Sequence, residues 1–429
     1  MLDIKFIREN AELVKDAVKK KALDVDVEKL LAIDERRREI IVELDTLRAE
    51  RNTVSAEVPK MKGAEKQKSI EAMREVGERI KVLETELNPI EVEFREIMLV
   101  VPNIPSDDSP VGGESANKEV ARHGEPRAFG FEPKSYVDLL TERGLLDLER
   151  GAKTSGFRGY YLKGALANLH LALMQYAFRM LAEKGFNPMI PPTLVRGFAL
   201  EGSGHFPFAR DEVYQIGNPG KLADGSNEKE PLYLAGTSEP SLLAYFADQV
   251  LEEKDLPVKV CGMSACYRSE VGSYGKDAKG LYRVHEFWKV EQVIICRANI
   301  AESDALLEEL RGIAEEILRD LELPYRVLQL STGDMGAGKR KMYDLEAWMP
   351  SRGAYGETHS DSNLTDWQTR RLNIRYKDAD GKVQHAYALN NTALASPRIL
   401  IALAENHQEA DGSIRIPKAL VPFVGAERI

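Results

Sequence analysis

The stretch from Cys266 to Val293 reads CYRSEVGSYGKDAKGLYRVHEFWKVEQV, a Gly- and Lys-rich segment between two apolar runs. This pattern predicts a strand, a long loop and a returning strand. Because alternate residues of a strand project to one face, Arg268 and Glu270 are predicted to lie side by side on the first strand. The returning strand is predicted to present a ring and two charges on one face, namely Phe287, Lys289 and Glu291. The hairpin would then gather these groups around one pocket.

The residue types in this hairpin suit a nucleotide. A guanidinium such as that of Arg268 offers a planar fork of donors that matches phosphate or carboxylate, and the ring of Phe287 offers an apolar face on which a base could stack. Glu270 could accept a hydrogen bond from a base amino group. The alternative is an ordinary hairpin with a solvated polar face, and the order of the motif is what favours the binding site.

That order resembles motif 2 of the class II aminoacyl-tRNA synthetases, and the stretch from Arg268 to Phe287 is similar to the version in the seryl-tRNA synthetase family. Leu389–Arg398, which reads LNNTALASPR, resembles motif 3 of the same class. The remaining matches follow in the family's order: Leu234–Glu239, Thr332–Gly336, Tyr343–Glu346, Ser362–Asn363, Asp366, Gln368, Arg370 and Arg371. The resemblance covers essentially the whole chain.

The resemblance implies an α+β protein, with a long antiparallel α-helical coiled-coil arm at residues 1–112 and a class II antiparallel-sheet catalytic domain, flanked by helices, at residues 113–429. The Pro- and Gly-rich stretch 102–113 marks the boundary in the sequence itself. Helices are predicted near residues 166–184 and 303–321 and after Arg398, with strands at 258–268 and 290–296.

The first hundred residues carry the periodicity of a coiled coil. Apolar residues alternate in steps of three and four along the second half, at Val76, Ile80, Leu83, Leu87, Ile90, Phe94 and Ile97. The first half repeats Ile33, Ile40, Leu47 and Val54 every seven residues, with Leu44 between them. Residues 57–68 break both patterns and contain Lys60, Lys62, Lys66 and Lys68. We therefore predict two antiparallel helices joined at a basic tip, too long to form a compact core and expected to project as an arm.

Composition limits the class of protein. A chain of 429 residues with a net charge of −10 is an ordinary soluble protein of two or three domains and does not suit non-specific coating of nucleic acid. Cys261, Cys266 and Cys296 form no CxxC pair, which favours reduced packing residues and no zinc. With neither a signal peptide nor a membrane-length apolar run, a cytoplasmic protein without membrane contact is expected.

The family's reaction is ATP-dependent activation of L-serine to seryl-adenylate, followed by transfer to tRNA(Ser), and also to tRNA(Sec) where it is present. The resemblance implies that Arg268 and Arg398 are the catalytic residues. It implies contacts to serine from Thr237, Ser238, Glu239, Arg268, Glu291, Asn390 and Thr392. It implies contacts to ATP from Arg268, Ser269, Glu270, Val284, His285, Glu286, Phe287, Glu357, Thr358, His359, Ser360 and Arg398.

The family also implies a magnesium ion bound with ATP and held by Glu357 and Ser360, because Mg²⁺ prefers oxygen ligands and bridges phosphates through few protein groups. His359 replaces a serine that is common there and is interpreted as a pocket wall rather than a base. Two further departures from commoner sequences are Ser238, where alanine is usual, and the motif 3 stretch with Thr392 and Pro397.

The family's arm grips tRNA, and the segment from Gly185 to Pro192 resembles motif 1, which forms the interface of a homodimer. Two alternatives stay open. A synthetase-like ligase that loads an amino acid onto a carrier protein would need the adenylation residues but no long arm. A non-catalytic coiled-coil protein derived from a synthetase would be expected to lack Arg268, Glu291 or Arg398, and all three are present.

Overall fold

The structure is a computed structural model that describes residues 1–218, 220–271 and 280–429. The Gly- and Lys-rich loop predicted for the central hairpin, residues 272–279, therefore lies outside the described residues. The chain forms two compact units, Leu2–Pro102 and Asn103–Ile429, and Met1 is grouped with the second. Within the described residues, no helix is both long and apolar enough to cross a membrane.

The first unit is helical. Its helices are α1 (Ile4–Glu9), α2 (Ala11–Lys20), α3 (Val27–Glu57) and α4 (Gly63–Val100). The side chain of Asp26 caps α3 by accepting a hydrogen bond from the amide of Lys29 at 2.9 Å, which satisfies one of the free donors at a helix start. A turn at residues 58–62 separates α3 from α4. The break is thus shorter than the predicted 57–68, because residues 63–68 contain good helix formers and no proline.

The two long helices pack along the predicted seam. Their buried core consists of Ile40, Leu44, Ile80 and Leu83, with Leu47, Val76, Leu87 and Ile90 packed against it. The ion pairs Arg36–Glu86 and Arg79–Glu43 cross between the helices on their exposed sides. Because the partner in α4 comes earlier in the chain as the partner in α3 comes later, the two helices run antiparallel. This confirms the predicted helical hairpin.

The second unit contains the remaining elements. Its helices are α5 (Tyr136–Glu142), α6 (Leu148–Ser155), α7 (Ala165–Glu183), α8 (Gly197–Ser203), α9 (Glu239–Ala244), α10 (Ile300–Asp320), α11 (Trp367–Arg371), α12 (Arg398–Asn406) and α13 (Val421–Val424). Its strands are β1 (Lys118–His123), β2 (Leu146–Asp147), β3 (Tyr161–Leu162), β4 (Asn187–Met189), β5 (Leu194–Arg196), β6 (Leu232–Leu234), β7 (Val250–Glu252), β8 (Val258–Tyr267), β9 (Glu286–Cys296), β10 (Tyr325–Gln329), β11 (Lys341–Met349), β12 (Ala354–Thr365), β13 (Arg375–Lys377), β14 (Val383–His385) and β15 (Tyr387–Ser396).

One large sheet organises this unit. Among the described residues it has eight strands in the order β1-β10-β11-β12-β15-β9-β8-β4. Neighbouring strands are antiparallel except for β4 and β8, which are parallel. Helices α7, α10 and α12 contribute apolar side chains to a core that also contains Val290 and Ile294 of β9. The predicted antiparallel sheet flanked by helices is confirmed.

Residues just after the helical unit belong to the second unit. The backbone amide of Asn103 donates to Ala337 O at 2.9 Å, and the amide of Ser106 donates to Arg340 O at 2.8 Å. The buried side chain of Asn103 also donates to the carbonyls of Gly338 and Leu364. The predicted domain boundary at 112/113 stays a prediction, while the compact units themselves divide after Pro102.

The three cysteines are packing residues. Cys261, Cys266 and Cys296 are all buried and unpaired. Burial raises the pKa of Cys261 and of Cys296 to about 12, so neither thiol is ionised near neutral pH.

Candidate active site

A cavity of about 240 Å³ opens over the face shared by β9, β15 and β12. The lining residues are His205, Thr237, Glu239, Arg268, Glu270, Tyr282, Val284, Phe287, Lys289, Glu291, Lys339, Glu357, Thr358, Ser360, Asn390, Thr392, Ala395, Ser396, Pro397 and Arg398. Segments far apart in sequence thus contribute to one site, and most of the residues predicted for binding and catalysis are among them.

Arg268 and Glu270 line the cavity, but not by the alternation predicted for one strand. Strand β8 ends at Tyr267, and Glu270 has a left-handed backbone with φ of 52°. The chain therefore turns immediately after Arg268. The guanidinium of Arg268 lies 5.2 Å from the ring centre of Phe287 and donates from Nε to Gly236 O at 3.3 Å. Glu270 accepts a hydrogen bond from Arg283 at 3.2 Å.

Phe287, Lys289 and Glu291 share the cavity face of β9, as alternation predicts. Lys289 and Glu291 form a buried ion pair, with side chains 7% and 3% exposed. Thr392 lies opposite Glu291 in the sheet, and its hydroxyl is 3.5 Å from both Glu291 Oε2 and Lys289 Nζ. Burial raises the pKa of Glu291, although Lys289 opposes this effect. A hydroxyl, an ammonium and a carboxylate therefore meet at the floor of the cavity.

Glu239 lines the same cavity as Glu291 and Thr392. Its Oε1 accepts hydrogen bonds from Gln368 Nε2 at 2.6 Å and from Asn390 Nδ2 at 2.8 Å. Burial disfavours the charged carboxylate, but its charged neighbours, Lys339 first among them, and the bond from Gln368 outweigh this effect, so the pKa of Glu239 lies below its usual value. Glu239 is therefore an anion ready to bind a cationic group.

Two β-bulges bring residues three apart to the cavity face. In β12, Glu357 pairs with Glu346 and His359 with Leu345, so Thr358 is the extra residue. Glu357 and Ser360 would point to opposite faces of a regular strand, and the bulge puts both on one face. A second bulge, at Ala393 in β15, does the same for Thr392 and Ala395.

Arg398 lines the cavity next to Glu357 and Tyr282. Its Nη1 donates to Glu357 O at 3.0 Å and to Glu357 Oε2 at 3.2 Å, and its Nε donates to Tyr282 O at 3.2 Å. The guanidinium also lies 4.4 Å from the ring centre of Tyr282. Burial disfavours its charge, but Glu357 and the other neighbours raise the pKa of Arg398 above its usual value. It is held as a permanent cation.

A carboxylate beneath Ser360 is poorly compensated. Asp344 pairs with Ser360 across β11 and β12, and within the described residues its Oδ1 has no hydrogen-bond partner. Burial, followed by repulsion from Glu357, Glu346 and Asp334, raises the pKa of Asp344 well above its usual value. Glu346 differs, because it pairs with Arg326 at 2.6 Å. Two carboxyl groups of β11 thus lie next to the cavity residues Glu357 and Ser360 without lining the cavity themselves.

Five residues predicted to contact ligands do not line the cavity. Ser238 is buried with its hydroxyl 2.8 Å from that of Ser264, so the hydroxyl that replaces the usual alanine has a structural partner. Ser269 donates to Asp211 O at 2.7 Å. The ring of His285 has Nδ1 3.0 Å from Arg268 O. The backbone carbonyl of Glu286 accepts a hydrogen bond from the hydroxyl of Tyr160. His359 is buried, with Nδ1 2.8 Å from Thr358 Oγ1.

Some lining residues were not predicted to be in the site. Tyr282 and Lys339 come from loops, and His205 follows α8. Burial lowers the pKa of His205 to about 4, so its ring is neutral near pH 7. No local pattern distinguishes these residues, because the long-range packing of the loops brings them to the cavity. Lys289, by contrast, was predicted to share the pocket face with Phe287 and Glu291, although no ligand contact was assigned to it.

The comparisons with known proteins agree with this geometry. A family model described as "tRNA synthetase class II core domain (G, H, P, S and T)" matches residues 221–407, which contain most of the cavity. The chain is therefore a class II aminoacyl-tRNA synthetase.

A second model, the "Seryl-tRNA synthetase N-terminal domain", matches residues 1–105. Serine–tRNA ligases of Deinococcus radiodurans and Treponema denticola are 43% and 42% identical over 100% of this chain, and the alignments cover 99% and 100% of their own lengths. The chain belongs to the seryl-tRNA synthetase family.

Solved structures of the family have the same fold. The seryl-tRNA synthetase of Pyrococcus horikoshii, complexed with ATP, is 40% identical with a TM-score of 0.89, over 100% of this chain and 99% of that one. The cytoplasmic serine–tRNA ligase of Naegleria fowleri, in complex with AMP, is 32% identical with a TM-score of 0.85, over 100% of this chain and 98% of that one.

Proposed function

We propose that this synthetase activates L-serine with ATP to form seryl-adenylate and transfers the seryl group to tRNA(Ser). The observation that carries the proposal is the single cavity in which Arg268 and Arg398 flank a floor built from Glu239, Glu291 and Thr392. This reaction requires cations that bind the phosphates of ATP and a small polar floor that binds the amino acid. The names of the relatives support serine as the substrate.

The first step brings two anions together, the carboxylate of the amino acid and the α-phosphate of ATP. Such a reaction needs positioning and charge neutralisation more than covalent catalysis. We assign Arg268 to both anions, since its guanidinium lines the same cavity as Glu291 and Thr392 and lies 5.2 Å from the ring centre of Phe287. Phe287 would stack on adenine, Glu270 would accept from its amino group, and Arg398 would bind the γ-phosphate and the far face of the base.

Serine recognition is assigned to the floor of the cavity. Thr392 and Glu291 meet at 3.5 Å, and a hydroxyl inserted between them would find both a donor and an acceptor. Alanine would not supply the hydrogen bonds that the serine hydroxyl makes to these buried groups, which is the strongest basis for rejecting it. Thr237 and the anionic Glu239 would bind the ammonium group of the substrate.

Magnesium fits the part of the cavity lined by Glu357 and Ser360. Within the described residues, no three His, Cys, Asp or Glu side chains form a metal-binding group, so phosphate oxygens would have to complete the coordination of an ion. Glu357 and Ser360 point to one face, and Asp344 beside them has an unpartnered carboxylate oxygen. We propose that Glu357 and Ser360 hold the ion, which when bound neutralises phosphate charge.

We assign tRNA binding to the helical hairpin of the first unit. The lysines at positions 60, 62, 66 and 68 are exposed at or next to its turn, where they suit RNA phosphates. The same hairpin would serve tRNA(Sec) where the cell makes it. An enzyme that acts on tRNA is also expected to be cytoplasmic. These assignments distinguish the chain from a ligase for a carrier protein, which would not need the hairpin.

We further propose a homodimer. Apolar side chains are exposed next to the segment that resembles motif 1, with Ile190 70% exposed, Phe198 51% and Leu194 50%. Such side chains are typical of an interface rather than of a free surface. Sedimentation equilibrium is expected to give twice the 48.0 kDa mass of the chain, and a monomer at micromolar concentration would contradict the proposal.

The proposed function is tested by amino-acid-dependent exchange of pyrophosphate into ATP without tRNA. Serine is expected to support exchange, whereas threonine, alanine and glycine are not. Glu291→Ala and Glu291→Gln are expected to lower kcat/KM for serine about 100-fold, because the hydroxyl loses its charged partner. Glu316→Ala, which removes a half-exposed carboxylate paired with Lys184, is the control and should match the wild type.

The amino acid that supports exchange decides between the functions. A preference for alanine or glycine would favour a carrier-protein ligase. No exchange with any amino acid would favour a non-catalytic protein. Wild-type exchange in Glu291→Ala would overturn the role of Glu291 while leaving serine activation intact.

A further inference from the structure

Gln368 is a fully buried side chain behind the wall of the amino-acid site and does not itself line the cavity. Its Nε2 donates to two acceptors, Glu239 Oε1 at 2.6 Å and Ser203 O at 2.8 Å. Both amide hydrogens are thus used on one side. Within the described part of the chain, its Oε1 has no hydrogen-bond partner.

The orientation of this amide is fixed by its partners. Turning it over would point Oε1 at two acceptors, a carbonyl and a carboxylate, which repel it. The observed orientation instead satisfies both acceptors and leaves the unpaired atom on Gln368 itself. A buried polar atom without a partner is normally avoided, so the arrangement serves Glu239 rather than Gln368.

The helix that carries Gln368 is held firmly. Arg371 donates to Glu201 O within α8 and to Phe206 O just after it, and Thr369 Oγ1 donates to Ala386 O at 2.6 Å. Because these bonds hold α11 to two other segments, the Gln368 amide has little freedom to follow the carboxylate of Glu239. The position of the Gln368 amide therefore determines the orientation of the Glu239 carboxylate.

We propose that Gln368 is a positioning residue for the amino-acid site: it holds Oε1 of Glu239 in place and leaves Oε2 to bind the α-ammonium group of the substrate. Asn390 shares the task, since its amide donates to the same Oε1 at 2.8 Å. The inference rests on the proposed activation of an amino acid and names the group that prepares the site for its ammonium end.

The charged surroundings of Glu239 do not replace this bond. Lys339 and His205 approach from neighbouring segments, and Lys289 and Glu291 from β9. His205 is neutral near pH 7, and Lys289 is paired with Glu291. Lys339 supplies charge, but a single ammonium does not fix the orientation of a carboxylate as a bound amide does.

Gln368→Glu is the sharpest test, because it keeps the shape and replaces two donors with acceptors. The carboxyl groups at positions 239 and 368 would then repel each other unless one of them carries a proton, as for any two carboxylates that share a site. We expect KM for serine to be raised about 30-fold over the wild type at pH 8.5 and only about fivefold at pH 6, with KM for ATP within about twofold throughout. The measurement is pyrophosphate exchange across this pH range.

Two further variants separate positioning from a general loss of structure. Gln368→Met removes the donors without a titrating group, so KM for serine should rise about equally at every pH. Gln292→Glu is the matched control, because Gln292 is also fully buried but faces away from the cavity and donates to Asn391 Oδ1 at 2.8 Å. It should leave the pH dependence of KM for serine as in the wild type.

The results separate this inference from the proposed function. No serine-dependent exchange in the wild type would refute the proposed function before any variant is considered. If the wild type is active, unchanged KM for serine in Gln368→Glu and Gln368→Met would overturn the inference. Equal rises of KM for serine and ATP in Gln368→Met, or the same pH dependence in Gln292→Glu, would also overturn it and indicate a structural role.

Discussion

Arg268→Ala is expected to lower kcat for serine-dependent pyrophosphate exchange by about 1,000-fold, because the variant lacks the cation placed between the two reacting anions. Mutations that remove one positioned donor to developing charge cost about 100- to 1,000-fold in other enzymes. Arg268 is assigned to both the carboxylate and the α-phosphate, so its effect should lie at the upper end. Steady-state exchange at saturating ATP and serine measures it.

Arg268→Lys distinguishes charge from geometry. Lysine keeps the charge but not the planar fork or the contact with Phe287, so recovery of about 10-fold over the alanine variant is expected. Arg122→Ala is the control, because Arg122 is an exposed arginine on β1 paired with Glu119 at 2.8 Å. An Arg268→Ala variant with more than one tenth of wild-type exchange would contradict the role.

The sequence predicts the fold where patterns are local. Of the predicted seam, Ile40, Leu44, Ile80 and Leu83 are buried and the remaining positions are partly buried, because a seam of apolar residues needs no distant partner to define it. Strands β8 and β9 also match, since their apolar runs are long and continuous. The predicted tip was too long because glycine usually breaks a helix, whereas Gly63 is the first residue of α4.

The site is less predictable than the fold. Order along the chain identified Arg268, Glu291, Thr392 and Arg398 through the resemblance, and all four line the cavity. The bulge at Thr358 and the left-handed backbone of Glu270 have no signal of their own, yet they decide which side chains face inward. Residues such as His205 and Lys339 reach the cavity through loop packing, which periodicity does not encode.

Deleting residues 28–100 is expected to abolish aminoacylation of tRNA(Ser) while leaving serine-dependent pyrophosphate exchange within about threefold of the wild type, because the cavity lies entirely in the second unit. A shorter deletion removes only the outer part of the hairpin. Joining Arg48 to Val76 through a short Gly-rich turn keeps the buried cluster of Ile40, Leu44, Ile80 and Leu83. Aminoacylation and exchange are measured on the same preparations, so exchange serves as the internal control for folding.

The tip lysines make this prediction specific to electrostatics. Replacing the lysines at 60, 62, 66 and 68 with glutamine should weaken tRNA binding and reduce the salt dependence of log Kd, by about 0.7–0.9 for each lysine that contacts a phosphate. A change of slope separates phosphate contact from loss of helix, which would weaken binding without following the number of charges. If the shortened hairpin aminoacylates tRNA(Ser) like the wild type, or if exchange falls as far as aminoacylation, the hairpin is not the tRNA-binding element.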